Sequence, residues 1–471
     1  MLRNGGPILM VQVENEYGNY YGTYAKDHTY TSKLAAIMRA AFGGMLYTTD
    51  ASTSGIVSGA IPGVLSAIDG DPKTGLAIRT QYVTDNSSLG PLLDGEFYSR
   101  WYTYWGPRSS FQTYEGDNSG AAAQAANMEY ILSSSFSFSL YMFHGGTNFA
   151  YGNGAVSLGS GLQPFIPSYD YGAPIDETGR PATIFNNFLA VIQKHVPAGS
   201  IPSLPSTPPM MAVPDYTLTP ALGLFDQLPS NSTRSSSPQN MEALGQSFGY
   251  ILYEYISTAA VSGKVQPGPG VPRDRVIVYV NGQKQGVIDA IYATPNTVNI
   301  TLRKGDKLWL LVENLGRVDF NPLILDQRKG ILGEVTIGGT NITGWNHYPF
   351  PLDVPPSGVS KGAAASVQPN GPPVFYRGSF TTNLTGMAAD TFLQLPGGTK
   401  GVVWVNGFNL GRYWVVGPQQ ELYVPGCYLN AGSPNEVIIL ELEPGNSTRV
   451  ARGVSKRTWA NHPDPDCNSC K

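Results

Sequence analysis

Gly5-Gly6-Pro7-Ile8-Leu9-Met10-Val11-Gln12-Val13-Glu14-Asn15-Glu16-Tyr17-Gly18 is the stretch on which the reading of this chain turns. Residues 7–16 are mostly apolar, as a parallel strand buried on both faces should be. The run ends on an Asn-Glu pair. Eighty residues later a second run, Gly90-Pro91-Leu92-Leu93-Asp94-Gly95-Glu96-Phe97-Tyr98, ends on another carboxylate. Side chains alternate along a strand, so Glu14 and Glu16 share one side, and Asp94 and Glu96 share parity. A carboxylate just past the end of a parallel strand reaches the mouth of a (β/α)8 barrel, where catalytic groups sit. One βα unit takes roughly 30 residues, so the interval is about three units and the two Glu residues would face each other across the mouth. Two carboxylates so placed are what retaining glycoside hydrolysis needs. Alone, an Asn-Glu pair is a loop-exposed acidic dipeptide; the Gly-Gly-Pro lead-in and the apolar run argue against that here.

The neighbouring sequence keeps a strand–helix rhythm. Residues 29–42 read as a helix: Leu34, Ile37, Met38 and Ala41 fall on one face, and Gly43-Gly44 stops it. Strands are expected at 45–50, 67–70, 91–98 and 136–144, and helices at 121–132 and 181–195. Alternation of this kind signals a parallel sheet. Aromatic residues Tyr98, Trp101, Tyr102, Tyr104 and Trp105 cluster after the second carboxylate, and rings suit the C–H faces of sugars. The same rings could instead fill a core. His144, before the turn Gly145-Gly146, reads as structural; the turn lacks the phosphate-loop pattern.

Beyond residue 200 the character changes. The expected organisation is a partial catalytic barrel over 1–200, a Pro/Ser-rich linker over 201–240, one β-sandwich over 241–355, a second over 356–450, and a tail over 451–471. Val278-Tyr279-Val280-Asn281-Gly282 with Gly286 recurs as Val403-Trp404-Val405-Asn406-Gly407 with Gly411. Asn-Gly between β-formers is the strongest short hairpin signal, so two sandwiches built on a similar hairpin are expected.

Composition narrows the classes. At 471 residues, two to four domains are expected. Gly 55 and Pro 37 make up about a fifth of the chain, and charged residues are only 14%, favouring strands and turns. Net charge −4 offers no footprint for nucleic acid. No apolar run is long enough to span a membrane. Three cysteines are no disulfide framework; Cys467-Asn468-Ser469-Cys470 reads as a tail disulfide or loose thiols, not a metal site. Six Asn-x-Ser/Thr sequons, at Asn86, Asn231, Asn299, Asn341, Asn383 and Asn446, favour the secretory pathway. Met1–Gly5 is no signal peptide, so the targeting segment is expected outside this chain.

Taken together, the Gly5–Tyr17 segment, Glu96-Phe97-Tyr98 with Trp101, Tyr141-Met142-Phe143 with Gly145-Gly146-Thr147-Asn148-Phe149, and Ser168-Tyr169-Asp170-Tyr171 with Ala173-Pro174 resemble glycoside hydrolase family 35, the β-galactosidases. Downstream, Val312-Glu313-Asn314-Leu315-Gly316-Arg317 and the Trp404–Trp414 segment resemble that family's accessory β domains. The likeness runs to about residue 445. It implies a (β/α)8 barrel whose strands four to eight are present here, followed by two β-sandwich, galactose-binding or jelly-roll-like domains. It implies that Glu16, ending the fourth strand, is the acid/base and Glu96, ending the seventh, the nucleophile. Asn15 would bind the substrate 2-hydroxyl, and Tyr98, Tyr141 and Tyr171 would line a galactose pocket. Neither metal nor organic cofactor enters such chemistry.

The resemblance also implies what to expect of the whole. The family's signature follows its first three strands, so a longer protein is expected, and this chain alone should turn over slowly. Terminal β-galactose residues of glycans would be the substrate, in a lysosomal or extracellular setting; a homo-oligomer is left open. Rival readings are an inactive carbohydrate-binding scaffold and a retaining β-glucosidase or exo-glucosaminidase.

Overall fold

In the computed structural model, five short strands pair in chain order, each parallel to the next: β1 (Met10–Gln12), β2 (Met45–Asp50), β3 (Leu65–Asp69), β4 (Leu93–Tyr98) and β5 (Ser137–Tyr141). The structure describes residues 5–20, 27–157, 161–270, 272–320, 322–361, 365–382, 389–445 and 448–467. Between the strands run α1 (His28–Phe42), α2 (Thr53–Gly59), α3 (Pro72–Tyr82) and α4 (Asn118–Ser133), and α5 (Thr183–His195) follows β5. These elements form one unit, made of residues 1–101, 112–145 and 170–207.

Local chemistry explains the boundaries. Asp27 caps α1 by accepting from the Thr29 and Tyr30 amides at 3.0 and 3.4 Å, and Gly43 ends that helix at φ 68°. Asp71 caps α3, accepting from Thr74 N at 2.8 Å, with Pro72 in the first turn. The sequence pattern does not foresee α2 or α3. Their apolar residues are few and interrupted by glycine, although Asp71-Pro72 is itself a start signal. Phe97 of β4 is fully buried against α4 and α5, with Met128, Ile131, Ile184 and Phe188. Val13 packs on the α1 side with Ala35 and Phe42.

One expectation fails at β1. The strand covers three residues, not 7–16, and it is an edge of the described sheet; Ile8 and Leu9 are 51% and 67% exposed. It is therefore not buried on both faces.

The second unit, residues 102–111, 146–169 and 208–471, is nearly all strand. A six-stranded sheet holds Arg275–Val280, Gln283–Asp289, Lys307–Glu313, Tyr250–Ile256, Trp345–Phe350 and Thr233–Ser235. A four-stranded sheet holds Val261–Pro267, Asn299–Leu302, Val335–Ile337 and Thr340–Ile342. Val276, Val278, Leu310 and Trp345 of the first meet Val265, Ile300 and Ile337 of the second in one apolar core. An eight-stranded sheet encloses another core around Leu218, Tyr376, Val403 and Ile439. Both Asn-Gly hairpins are present. Asn281 and Gly282 have φ 49° and 80°, and Asn406 and Gly407 have φ 50° and 83°, the pair of positive values that a type I′ turn requires.

The proposed linker and tail need correcting. Within 201–240, Val213–Gly223 is a strand of the eight-stranded sheet, paired with Val374–Thr381 and Arg449–Val454, and Thr233–Ser235 pairs with Trp345–Phe350. Val213, Leu218 and Ala221 are buried there, so this Pro-containing strand is held by packing rather than propensity. Within 451–471, Asp466 is paired with buried Arg275 and with Lys284. Cys467 is in a disulfide; Cys470 lies outside the described residues, as do the sequons at Asn383 and Asn446.

Candidate active site

Past Gln12 the chain leaves the strand but stays tied to β2. Val13 N donates to Tyr47 O at 2.8 Å and Glu16 N to Thr49 O at 3.2 Å. Glu14 and Glu16 both take left-handed backbone, φ 60° and 47°. For residues with a Cβ this costs on the order of 1 kcal/mol or more each, the kind of strain that collects at functional sites. It also breaks the simple alternation. The Glu14 carboxylate accepts from the Tyr30 hydroxyl of α1, while the Glu16 carboxyl reaches β3 and β4. The turn after Glu16 is held by Asp50, whose Oδ1 accepts from Gly18 N at 3.0 Å.

On β4 a bulge does the aiming. Ile68 pairs with Asp94 and Asp69 with Glu96, so Gly95 is the extra residue. A Cβ at Gly95 would lie 2.7 Å from Thr49 Oγ1, which is why the bulge needs glycine. The bulge separates two acids that parity alone would have left equivalent. Asp94 is wholly buried, whereas Glu96 is half-buried and directly opposite Asp69.

Glu16, Asp69 and Glu96 converge. One carboxylate oxygen from each lies within 4.8 Å of the others. Two like charges that close repel by about 3.5 kcal/mol or more at an effective dielectric constant of ~20, so the three do not all ionise together. Tyr98 donates to Glu96 Oε2 at 2.7 Å. Burial pushes the Glu96 carboxyl up; that hydroxyl pulls it down, and the charge of Glu16 pushes it up again. Asp69, 5% exposed, is pushed up to about 9, by burial first and then by its hydrogen bond with the Glu16 carboxyl and the charges of Glu16, Glu96 and Asp50.

Four rings gather beside Glu96. Tyr98 packs edge-on against Trp101 and Tyr141, each at 5.5 Å between centroids, and lies 6.3 Å from Tyr171. Tyr171 in turn meets Trp101 at 6.1 Å and Tyr141 at 5.4 Å. The structure thus brings together Glu16, Glu96, Tyr98, Tyr141 and Tyr171 of the residues singled out from sequence. Asn15 differs: it is exposed, and its Oδ1 accepts from Gln12 Nε2 at 2.9 Å rather than joining the carboxylates. His144 is exposed. Asp69 is the residue that the sequence reading missed, although Ala67-Ile68-Asp69-Gly70 carries the same signal as the other two, a strand ending on an acid.

Residues 1–195 match the family described as glycosyl hydrolases family 35. Residues 238–351 match the first all-β domain of β-galactosidase, and residues 373–435 its galactose-binding domain. The β-galactosidase of Bos taurus is 36% identical over 472 residues, spanning 94% of this chain and 69% of that protein. The chain belongs to glycosyl hydrolases family 35. The β-galactosidase-1-like protein of Mus musculus is 37% identical, with 94% and 68% covered, and the β-galactosidase of Homo sapiens 38%, with 94% and 66% covered. The chain thus spans about two thirds of these relatives.

In this family 35 chain the buried acids give the first unit a defined response to pH. Burial pushes Asp50 up to about 7, against the Gly18 N–H, with the charge of Glu16 adding. Burial also pushes Asp94 up to about 7, against the Glu96 N–H, with the charges of Asp71 and Glu96 adding. In the unfolded chain both release their protons near pH 4. Their contribution is therefore complete below about pH 4 and is lost as pH rises toward 7, and for Asp69 toward 9. Raising the pH from about 5 to about 6.5 should cost this unit of order 2 kcal/mol for each of these acids. Hydrogen-exchange protection of peptides covering β2, β3 and β4 should fall accordingly after correction for intrinsic rates. Asp50→Asn and Asp94→Asn should each flatten the dependence.

Proposed function

We propose that this protein is a retaining exo-β-galactosidase acting on terminal, non-reducing β-D-galactose of glycans, through a double displacement by two glutamates. The observation that carries the reading is the approach of Glu16 and Glu96 oxygens to within 4.8 Å, which suits direct attack by one carboxylate. Retaining pairs sit about 5–5.5 Å apart, whereas inverting pairs stand wider to admit a water. On this reading β1 to β5 are strands four to eight of a (β/α)8 barrel, followed by two β-sandwich domains. Glu96 attacks the anomeric carbon, its charge held by the Tyr98 hydroxyl, while Glu16 gives its proton to the leaving oxygen. Water then attacks the galactosyl-enzyme as Glu16 takes a proton back.

The ring cluster of Tyr98, Tyr141 and Tyr171, with Trp101, supplies the wall against which a sugar packs. Asn15 would turn to the 2-hydroxyl by exchanging its Gln12 bond. The substrate class rests on the family and on relatives named β-galactosidase. A lysosomal or extracellular setting draws support from the exposure of Asn86, Asn231, Asn299 and Asn341 and from the disulfide at Cys467. No helix among the described residues is long and apolar enough to cross a membrane.

Labelling with a 2-fluoro-galactoside bearing an activated leaving group tests this reading. The fluorine slows release of the intermediate, so peptide mass spectrometry should find the sugar on Glu96. Absence of label, or a label elsewhere, would leave the inactive-scaffold reading standing. Faster labelling by the gluco-configured reagent would move the substrate class.

A further inference from the structure

Asp69 belongs to the trio but has no part in the double displacement itself. It is the last residue of β3, it lies opposite Glu96, and it is the most buried of the three. Among the described residues, none offers a fixed N–H or O–H to its Oδ2. One oxygen of its carboxyl lies within 4.8 Å of one from Glu16, and two carboxyl groups can bond each other only through a proton. Glu96 differs in having the Tyr98 hydroxyl to hold its charge. The charged groups acting on Asp69, namely Glu16 from the β1 turn, Glu96 from β4 and Asp50 from β2, are all acids, and the Tyr98 hydroxyl also lies in its field.

We propose that Asp69 keeps a proton across the working pH range and donates it in a hydrogen bond to Glu16, as a positioning residue. The inference rests on the reading of Glu16 as acid/base and Glu96 as nucleophile. The direction of donation has a consequence. If Glu16 gave its proton to an ionised Asp69, that proton would face away from the aglycone. With the proton on Asp69, one Glu16 oxygen is held while the other stays free to give and take the catalytic proton. A neutral Asp69 also adds no negative charge beside Glu96, whose own charge is needed for attack. The strong upward push on Asp69 agrees with this placement.

The test compares the parent chain with Asp69→Asn and Asp69→Leu. Asparagine is a permanently neutral donor of nearly the same shape; leucine donates nothing. In infrared difference spectra of parent minus Asp69→Asn, the C=O stretch of a protonated carboxyl should be present at mildly acid pH and persist to about pH 8. Its absence would overturn the proposal. This readout needs no turnover.

The second readout is the acid limb of the pH profile for 2-fluoro-galactoside labelling, which follows ionisation of Glu96. Asp69→Asn should leave that limb in place and the labelling rate within about threefold. A shift of the limb toward acid by about one pH unit would mean that a negative charge had been removed, and the proposal would fall. Asp69→Leu should slow hydrolysis by about 10-fold to 100-fold more than Asp69→Asn does. Equal losses in both variants, tracking loss of folded protein, would reduce Asp69 to a structural role. Failure of labelling in every variant with the infrared band intact would sink the functional reading alone.

Discussion

Replacing Glu96 with alanine should lower hydrolysis of a dinitrophenyl β-galactoside by about 10^4-fold or more relative to the parent chain, as loss of a covalent nucleophile does elsewhere. Each tenfold is about 1.4 kcal/mol of barrier, so the loss exceeds about 5 kcal/mol. Replacing Glu16 should behave differently. Dinitrophenolate leaves without help from an acid, so the first step survives in Glu16→Ala, and a burst of released phenolate should precede slow turnover. With a poor leaving group such as methanol, the first step should fall too, by about 10^2-fold to 10^4-fold. Azide separates the two roles by stereochemistry. In Glu16→Ala the small anion enters the space of the lost carboxylate and attacks the galactosyl-enzyme, giving β-galactosyl azide. In Glu96→Ala it occupies the opposite face and attacks the substrate directly, giving α-galactosyl azide. Reversed anomers would exchange the two assignments. An α-product from both variants would end the double-displacement reading.

The unequal legibility of this site follows from where local rules govern the chain. The parallel sheet of β1 to β5 was readable from short strand-like runs spaced widely enough for the crossovers that parallel neighbours demand, although the helices α2 and α3 on either side of β3 were not foreseen. Both Asn-Gly hairpins were readable because a turn with two positive φ angles leaves few residue choices. Glu16 and Glu96 were readable as strand-terminal acids. Their final directions were not. Alternation predicts side-chain facing only inside regular strands; Glu16 lies past the end of β1 in left-handed backbone, and Glu96 follows a bulge. The bulge at Gly95 depends on Thr49, which is 46 residues away in sequence, so no local pattern announces it. Asp69 is a partial exception, since its own strand carried the signal. The strand at Val213–Gly223 was hidden for the opposite reason: Pro214, Asp215 and Pro220 interrupt its strand formers, and pairing on both sides makes it a strand.

The second large effect belongs to Glu313 and concerns stability. Glu313 ends a central strand of the six-stranded sheet, and its side chain is 2% exposed. Lys400 Nζ lies 3.1 Å from one carboxylate oxygen, and Arg412 Nε lies 2.9 Å from the other. Arg412 also donates to Asn153 Oδ1 and to the Asn314 carbonyl, both at 2.5 Å. Burial would raise the Glu313 carboxyl, but Lys400, Arg412 and Arg275 outweigh it and hold the group below the ordinary range. Its contribution is therefore present above the unfolded value, near 4.5, and is lost only as pH falls through the lower folded value. That sign is opposite to the one for Asp50, Asp69 and Asp94, so mild acid suits both units.

Glu313→Ala removes one charge and leaves two cations buried beside each other. Breaking a buried pair in this way costs about 3–5 kcal/mol. Six of the seven tryptophans lie in the second unit, so denaturant unfolding followed by tryptophan fluorescence should show the midpoint falling with little change in slope. The triple variant Glu313→Leu, Lys400→Met, Arg412→Met removes the stranded charges along with the pair. It should recover most of the loss, because well-packed apolar replacements of a buried ion cluster are often neutral or better. If Glu313→Ala unfolds at the parent's midpoint, the cluster is solvated and contributes little. If the triple variant is as unstable as the single one, the bonds from Arg412 to Asn153 and Asn314, rather than the charges, hold this part of the fold.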